Sequence, residues 1–403
     1  MATYVYTVKD RSGKAISGSL EGDNAAAVSA KLRQMGYIIV KLTEKSEGLN
    51  VSFGKPKAKK VKGRDLTIFS RQFATMVNSG LSLTKCLSIL SQQSESAALR
   101  TIVTDIGKDV EGGQSLSDSM GKHPKTFPPI FVNMVRAGET GGVLDEVLMR
   151  VADHFEKESQ LKSKIKSAMA YPMAMFSMSM LILFAMITFV VPVFVNMFAQ
   201  LGGDLPLPTQ VLVTASDFIR SRWYVLIVVI GGSVWGFKSY KATKGGRYNI
   251  DKVKLHLPIM GKLTVKIALA KFTRTFGTLI SSGVPILSAL DIVADTSGNE
   301  LVAEAVKKTR AGIKEGETIS KPLGESAVFP PMVVQMISVG EETGALDSML
   351  NKIADFYDAE VSASVDALTS LIEPLMIAFM GMIIGGIIIA LYMPMFKMFT
   401  LIK

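Results

Sequence analysis

The sequence predicts a mainly α-helical integral membrane protein, with two duplicated cytoplasmic helical bundles, three transmembrane helices and a small amino-terminal ββαβ module. Two observations carry this prediction. Residues 173–198 and 374–396 contain no Asp, Glu, Lys or Arg, and each stretch is long enough to cross roughly 30 Å of hydrocarbon as a helix. The pattern before the first stretch also recurs before the second, which is typical of a duplicated structural unit.

The composition agrees with a membrane protein. Of the 403 residues, 48% are hydrophobic, and the net charge is +10 at pH 7. The positive charge is clustered, and the basic run at residues 55–64 contains no aromatic residue. This pattern favours contact with a membrane surface over nucleic-acid binding, which usually interleaves aromatic residues with basic ones. Cys86 is the only cysteine, so no intramolecular disulfide can form.

Residues 1–45 are predicted to form the ββαβ module. The predicted elements are strands at residues 4–8, 16–21 and 37–42, a turn at residues 11–14 and a helix at residues 24–35. Asp23 is expected to cap the helix and Gly36 to end it. A unit of this size is marginally stable alone, so it is either a mobile appendage or a docking module for a cytoplasmic partner. Because the first ten residues contain no apolar run typical of a signal peptide, we expect the amino terminus to be cytoplasmic.

Residues 46–64 are predicted to be an extended basic linker, because glycine, proline and repelling like charges leave little that can pack. The linker is either a solvated tether or a contact for anionic lipid. A helical pattern begins at residue 65. Further on, Pro129 is expected in the first turn of a helix that ends at Gly138. No stop signal follows Val143, so one amphipathic helix is expected to lead directly into the first apolar stretch.

The first bundle recurs at an offset of 202 or 203 residues. Phe69, Arg71 and Phe73 reappear as Phe272, Arg274 and Phe276; Phe127, Pro128 and Pro129 as Phe329, Pro330 and Pro331; Gly138 and Glu139 as Gly340 and Glu341; and Pro172 as Pro374. Each copy ends at an apolar stretch. Parallel copies of this kind suggest a pseudo-two-fold axis along the membrane normal.

Between the copies, residues 223–237 are apolar and are flanked by Arg220, Arg222, Lys238 and Lys241. Basic residues mark the cytoplasmic side of a membrane helix, so a return helix is required between the two cytoplasmic bundles. The carboxyl terminus is then expected outside the cytoplasm. The predicted segments are residues 1–45 (amino-terminal module), 46–64 (linker), 65–172 (first bundle), 173–198 (transmembrane helix 1), 199–221 (external loop), 222–240 (transmembrane helix 2), 241–373 (second bundle), 374–396 (transmembrane helix 3) and 397–403 (tail).

The sequence contains no motif typical of nucleotide binding, metal binding or nucleophilic catalysis. Each Gly-Lys pair is followed by Ala, Pro, Asp, His or Leu rather than Ser or Thr, which excludes a P-loop. His123, His154 and His256 lack metal-ligand spacing, and no Gly-x-Ser-x-Gly nucleophile motif occurs. We therefore expect no catalytic residue, cofactor or metal. The apolar stretches also lack the ionisable residues that an ion or proton path usually needs, which disfavours a transporter.

Two acidic, glycine-rich motifs are the strongest features outside the apolar stretches. They comprise Gly138, Glu139, Thr140, Gly141 and Gly142 in the first copy and Gly340, Glu341, Glu342 and Gly344 in the second. One interpretation is structural, since glycines end helices and acidic residues stabilise helix amino termini. The other is that two exposed loops form a partner-binding surface. Gly381 and Gly385 form a weak helix-packing motif.

At the first apolar stretch the sequence resembles a known family. The matching residues are Lys164, Ile165, Ala168, Met169, Tyr171, Pro172, Met175, Ser179, Met186, Val190, Val191 and Pro192. This pattern is similar to the signature of the type II secretion system F family, which includes the PilC-type inner-membrane platform proteins of type IV pili. The resemblance extends from residue 65 to the carboxyl terminus, and the amino-terminal module also fits the family's layout.

The resemblance implies a non-enzymatic platform in the bacterial inner membrane. The partners that it implies are a cytoplasmic hexameric ATPase, pilin or pseudopilin subunits, other inner-membrane alignment proteins, lipid and further copies of the chain, but no nucleic acid. On this hypothesis, displacement of the bundles is transmitted through residues 142–198 and lifts a pilin. A platform for type II secretion would have the same features, and a transporter subunit is the alternative of a different class.

Overall fold

A computed structural model describes residues 2–9, 15–44, 61–200, 206–257 and 260–401. The chain divides into two units, Met1–Lys59 and Lys60–Lys403, which are described separately. The smaller unit contains strands β1 (Ala2–Lys9), β2 (Ala15–Gly22) and β3 (Ile38–Glu44) and helix α1 (Ala25–Gln34). The strands form an antiparallel sheet in the order β2-β1-β3.

The core of the smaller unit lies between this sheet and α1. Tyr4 and Val8, four residues apart on β1, share one face of the strand and are buried with Val28 and Leu32 of α1. The helix is capped by Asn24, whose side chain accepts a hydrogen bond from the Ala27 amide at 2.8 Å. The prediction that Asp23 caps it is therefore wrong by one residue. The turn predicted at residues 11–14 lies outside the described residues.

The larger unit is helical. The first bundle comprises α2 (Gly63–Asn78), α3 (Leu83–Gln93), α4 (Ala97–Glu111), α5 (Leu116–Gly121), α6 (Pro129–Gly141) and the beginning of α7 (Leu144–Ala185). A π-helical turn (Met186–Val190) and α8 (Val191–Gln200) continue α7. Helices α9 (Leu207–Ser221), α10 (Trp223–Ala242) and α11 (Lys244–His256) follow. The second bundle comprises α12 (Met260–Ser281), α13 (Ile286–Thr296), α14 (Glu300–Lys314), α15 (Ser320–Gly324), α16 (Pro331–Thr343) and the beginning of α17 (Leu346–Leu401).

Most of the predicted linker, residues 46–60, lies outside the described residues. Its predicted end at residue 64 is wrong, because Gly63 and Arg64 already belong to α2. The Asp65 carboxylate accepts a hydrogen bond from the Lys62 amide at 3.3 Å. This hydrogen bond satisfies the Lys62 amide, which would otherwise have no partner at the start of the helix. It therefore favours a helix that begins before Asp65.

Equivalent aromatic contacts stabilise the interior of each bundle. Phe69 packs edge-on against Phe127 in the first bundle, with ring centroids 5.8 Å apart. Phe272 packs edge-on against Phe329 in the second, with centroids 5.0 Å apart. Buried side chains from both bundles belong to one continuous hydrophobic cluster, so the two copies share a core.

Helix α7 carries the first bundle directly into the apolar stretch, as predicted. Its 42 residues correspond to about 63 Å at the α-helical rise. Helix α17 does the same for the second bundle over 56 residues. The helix continues into the predicted tail, residues 397–403, as far as residue 401, because no glycine or proline follows Pro394.

Two helices, Leu144–Met197 and Leu346–Pro394, are long and apolar enough to cross a membrane. A third span is possible if α9 and α10, which meet at a bend of 78°, are taken together. The apolar side chains of these helices are largely exposed: Phe189 is 68% exposed and Met382 76%. In the described part of the chain these surfaces have no protein cover, as expected for helices surrounded by lipid.

Much of the segment predicted as an external loop, residues 199–221, is helical. Residues 201–205 lie outside the described residues, but Leu207–Ser221 form α9. Pro206 precedes the helix and Pro208 occupies its first turn, where proline is tolerated because its missing N–H would have had no helical partner. Leu212 of α9 packs against the apolar parts of the two long helices, and this contact stabilises a helix in place of a loop.

Candidate functional site

The two long helices run side by side where they leave the bundles. We define the helix pair as residues 154–172 of α7 and residues 355–374 of α17. The Lys164 ammonium lies 3.0 Å from the Asp366 carboxylate, and the Tyr171 hydroxyl lies 3.5 Å from the Glu373 carboxylate. Both contacts join residues 202 positions apart, which is the offset between the copies. The helices are therefore parallel and in register.

An apolar seam holds the helix pair together beneath these polar contacts. Leu161, Ile165 and Ala168 of α7 pack against Val361 and Val365 of α17, with Leu263 and Ile267 of α12 closing the cluster. Val361 is fully buried, whereas the Lys164 and Asp366 side chains are 41% and 64% exposed. Exposed ion pairs contribute roughly 0–1 kcal/mol. The seam therefore supplies most of the stability of the helix pair.

The signature residues fall into three groups. Lys164, Ile165, Ala168 and Tyr171 contact α17 or the apolar seam, and Met169 is half-buried beside them. Pro172 and Ser179 are buried, whereas Met175 is exposed at the start of the apolar stretch. Met186, Val190, Val191 and Pro192 lie at the π-helical turn, where Val191 is fully buried against Ile387 and Leu391 of α17. The structure brings the first and third groups against α17 at two separate levels.

Pro192 explains the π-helical turn. The Val191 amide bonds to the Met186 carbonyl five residues back, so the Ile187 carbonyl would need the amide of residue 192. Proline has no N–H, which leaves this carbonyl without a helical partner. The Ser216 hydroxyl of α9 donates to the Ile187 carbonyl at 2.7 Å.

The second copy has an equivalent hydrogen bond from α9. Pro394 is the repeat equivalent of Pro192, and its missing N–H leaves the Ala390 carbonyl of α17 without its usual partner. The Thr209 hydroxyl of α9 donates to this carbonyl. Thr209 and Ser216 are seven residues apart, on one face of α9, and both are buried. Helix α9 therefore joins the two long helices by satisfying the carbonyls that their prolines expose.

An arginine on the first helix of each bundle joins it to the long helix. Arg71 of α2 donates from Nε and Nη2 to the two carboxylate oxygens of Glu156, each at 2.6 Å, and from Nη2 to Asp153. These hydrogen bonds raise the pKa of Arg71 above its already high ordinary value. The hydrogen bond from Arg71 holds the pKa of Glu156 below its usual range. The arginine is therefore a permanently charged link.

The second bundle repeats this link with one difference. Arg274 of α12 donates from Nη2 to Asp355 at 2.7 Å and to Asp358 at 2.6 Å. Asp358 occupies the position of Glu156 but is one methylene shorter, and Arg274 Nε is buried without a partner among the described residues. Although burial opposes the effect, hydrogen bonds from Arg274 and Lys157 leave the pKa of Asp355 below its usual value.

His154 lies at the junction of the two bundles. It is buried, and its Nδ1 lies 3.4 Å from the Thr278 hydroxyl of α12. Burial lowers the pKa of His154 to about 4, and the nearby Arg274 and Lys162 charges add to that effect while Glu158 opposes it. His154 is therefore a neutral packing residue at pH 7.

The two acidic, glycine-rich motifs are not loops, so that expectation is wrong. Residues 138–141 form the last turn of α6, and residues 340–342 lie in the last turns of α16. The helices end only at Gly142 and Gly344, whose φ angles of 70° and 69° favour glycine. Gly138 allows α6 to pack closely against α7, because an added Cβ would lie 3.0 Å from the Cβ atom of Val147.

Two glutamates of these motifs, Glu139 and Glu341, bind backbone amides of neighbouring helices. Glu139 accepts hydrogen bonds from the Leu116 and Ser117 amides at the start of α5. Glu341 accepts them from the Ile319 and Ser320 amides at the start of α15. Each carboxylate satisfies first-turn amides that have no helical acceptor. The exposed positions of the two motifs are Thr140, Gly141, Gly142, Glu342 and Gly344.

Sequence reasoning missed the α9 contacts and the π-helical turn. Their signal was present as Pro192 and Pro394 at an offset of 202 residues, since a proline within a helix exposes a carbonyl one turn back. Which hydroxyl would bind that carbonyl was not readable, because it comes from another segment. The weak Gly381 and Gly385 motif has no neighbour within contact distance in the described residues.

Comparison with known families identifies the same two copies. The model described as "Type II secretion system (T2SS), protein F" matches residues 69–192 and again residues 272–394. The model described as "Type II secretion system protein F, N-terminal domain" matches residues 1–43. The predicted duplication is thereby confirmed.

Individual relatives match over nearly the whole chain. A "Type IV pilus assembly protein PilC" from Myxococcus xanthus is 42% identical over 98% of this chain and 95% of its own length. A protein of the same name from Thermus thermophilus is 41% identical over 98% of both chains. A "Type II secretion system protein F" from Vibrio cholerae is 32% identical over the full length of both.

Proposed function

This chain belongs to the type II secretion system F family, and within that family we propose that it is the inner-membrane platform protein of a type IV pilus machine. The observation that carries the proposal is the identity of 42% and 41%, over nearly the full chain, with relatives named for type IV pilus assembly. The names of these relatives describe assembly and secretion, and none describes a chemical reaction.

The proposed mechanism is mechanical coupling. Each bundle is joined to an apolar stretch by an uninterrupted helix, and a helix transmits displacement along its axis better than a flexible loop. A cytoplasmic hexameric ATPase acts on the bundles, and the segment at residues 142–198 carries the displacement to a pilin subunit in the membrane. The apolar seam and the in-register contacts of the helix pair support coordinated movement of both copies.

The proposed partners and location follow from this role. They are the assembly or retraction ATPase, pilin or pseudopilin subunits, other inner-membrane alignment proteins, lipid and further copies of the chain. The signature residues that face away from α17, such as Met175, and the exposed Thr140, Gly141 and Glu342 are the proposed partner contacts. The amino terminus is proposed to be cytoplasmic and the carboxyl terminus periplasmic in a bacterial inner membrane.

Two other functions are distinguishable. The F protein of a type II secretion system is the nearer alternative, because a relative of that name is 32% identical over the full chain. A transporter subunit has less support, because residues 173–198 and 374–396 carry no ionisable Asp, Glu, Lys or Arg.

An in-frame deletion, complemented in trans, tests the proposal. Surface filaments, secreted protein and nutrient uptake are scored in the same strains. Loss of filaments alone is the expected result. Loss of secretion with filaments retained would assign the chain to type II secretion, and loss of uptake with both retained would favour the transporter.

Rigid coupling has a separate test. A flexible Gly-Ser-Gly-Ser insertion after Glu158 is expected to abolish filaments while leaving the protein in the membrane. The matched control is the same insertion between Ser94 and Glu95, in the connection between α3 and α4. Normal filaments with the Glu158 insertion would refute rigid coupling without refuting the platform assignment.

A further inference from the structure

A cavity of about 740 Å³ lies between the two bundles. Its walls come from the beginning of α2, the connection before α6, the helix pair, α12 and the end of α13. All of these elements belong to the larger unit. The volume falls within the range of roughly 300–1,000 Å³ that is typical of small-molecule sites.

The cavity has a large excess of positive charge. Two of its lining side chains are acidic, Glu158 and Asp358. Lys157, Lys162 and Arg274 also line it and form ion pairs with carboxylates. Five further basic side chains line it without an ion pair to any described residue: Lys62, Arg64, Lys125, Lys166 and Lys271. Like charges around one concave site repel one another, so this arrangement favours an anionic ligand.

Arg274 supplies a buried donor to the same cavity. The side chain lines the cavity and is only 10% exposed, yet its Nε has no partner in the described part of the chain. The equivalent Nε of Arg71 donates to Glu156 at 2.6 Å. Because Asp358 replaces that glutamate, the second copy keeps an N–H available, and an unsatisfied buried donor costs free energy unless a ligand or water accepts from it.

The remaining walls suit a ligand with both phosphate and apolar parts. Gly63 and Arg64, in the first turn of α2, line the cavity, and the positive end of a helix dipole favours phosphate. Leu66, Ile130 and Phe155 form an apolar wall of the cavity.

From these observations we propose that the cavity binds a phosphorylated small molecule of nucleotide size, or the phosphate headgroup of an anionic lipid. Phosphate oxygens contact Lys166, Lys271 and Arg274 Nε, and the organic part lies against Phe155. No bond is made or broken. Because the ligand touches α2, α7 and α12, its binding ties the two bundles together. This inference does not depend on the pilus assignment.

Equilibrium binding to the full chain tests the proposal. The protein is placed in nanodiscs of neutral phosphatidylcholine and titrated with fluorescent trinitrophenyl-ATP. Saturable binding is expected. Lys271→Gln and Lys166→Gln should each raise the dissociation constant about tenfold, because each removes a charge-assisted hydrogen bond. The matched controls, Lys307→Gln and Lys85→Gln, remove exposed lysines that do not line the cavity and should leave binding unchanged.

Competition identifies the source of the phosphate. Displacement by ATP or pyrophosphate indicates a soluble ligand, whereas displacement by cardiolipin vesicles alone indicates a lipid headgroup. Both outcomes support a phosphate site. Displacement only by a polyglutamate peptide would overturn the proposal in favour of an acidic protein segment. Equal affinities for the wild type, Lys166→Gln and Lys271→Gln would overturn it outright.

Asp358→Glu gives a second test that does not depend on charge removal. It restores the arrangement of the first copy, in which the longer carboxylate satisfies the arginine Nε. The variant is expected to melt at a higher temperature than the wild type and to bind the probe more weakly. Higher stability with unchanged affinity would show that Arg274 Nε does not contact the ligand.

Discussion

Lys164 forms an ion pair at 3.0 Å with Asp366, the residue that occupies its own position in the second copy of the repeat. The pseudo-two-fold axis therefore passes between these two side chains. Two identical copies would place like charges opposite each other here. The difference between Lys and Asp converts a repulsive contact into an attractive one.

Reversing one member of this pair is expected to have a small effect on stability. Asp366→Lys places two ammonium groups together, but both sites are exposed, so the loss should be below about 1 kcal/mol. The double exchange Lys164→Asp with Asp366→Lys should recover most of that loss. A double-mutant cycle of unfolding in detergent measures it. Additive losses in the double variant would show that the two side chains do not interact.

Removing the hydroxyls of α9 is expected to destabilise the apolar part of the protein. Ser216→Ala and Thr209→Val each leave a buried carbonyl unsatisfied, which should cost about 1 kcal/mol. Thermal unfolding in detergent micelles measures the loss. The matched control is Thr214→Ala, on the exposed face of the same helix, where no change is expected.

A proline replacement tests whether Thr209→Val loses stability because the Ala390 carbonyl is unsatisfied. Pro394→Ala restores an N–H that can bind the Ala390 carbonyl within α17. In that background Thr209→Val should cost much less than in the wild type. An unchanged cost would mean that Thr209 stabilises the protein by packing and not through this carbonyl.

The glutamate caps distinguish a structural role from a partner-binding role. Glu139→Gln and Glu341→Gln should each lower the free energy of unfolding by about 1 kcal/mol, because they weaken acceptors at the starts of α5 and α15. Glu342→Gln is the control, since Glu342 is exposed and, among the described residues, its side chain bonds only to Ser338 of its own helix. Chemical denaturation measures the free energy of unfolding of the three variants. Wild-type stability combined with lost filaments would instead assign these glutamates to partner binding.

His154 is expected to make the protein less stable in mild acid. Its folded pKa of about 4 lies below the ordinary value of 6.5, so the unfolded chain takes up a proton that the folded protein excludes. Stability is therefore lost as pH falls from about 6.5 to about 4, by an amount on the order of 3 kcal/mol. His154→Gln should reduce this slope, as measured by denaturant midpoints at pH 7.5 and 5. An identical slope in the variant would assign the acid sensitivity to other groups.

The sequence by itself determined the features that depend on local chemistry and composition. The duplication could be predicted because Phe69, Phe127 and Pro172 recur at an offset of 202 or 203 residues. The run of α7 into the apolar stretch was readable because no helix-ending residue follows Val143. The beginning of α6 was readable because Pro129 is suited to the first turn of a helix.

Only the tertiary structure decided the features that depend on contacts between distant segments. Residues 207–221 resemble a loop until their packing against α7 and α17 is seen, and Glu139 resembles an exposed loop residue until α5 is placed beside it. The unpaired Nε of Arg274 arises from a single methylene difference between Asp358 and Glu156, in a pairing that spans more than 80 residues. Local sequence sets the backbone preferences of each segment, but the partner of a buried polar group is chosen by whichever segment packs against it.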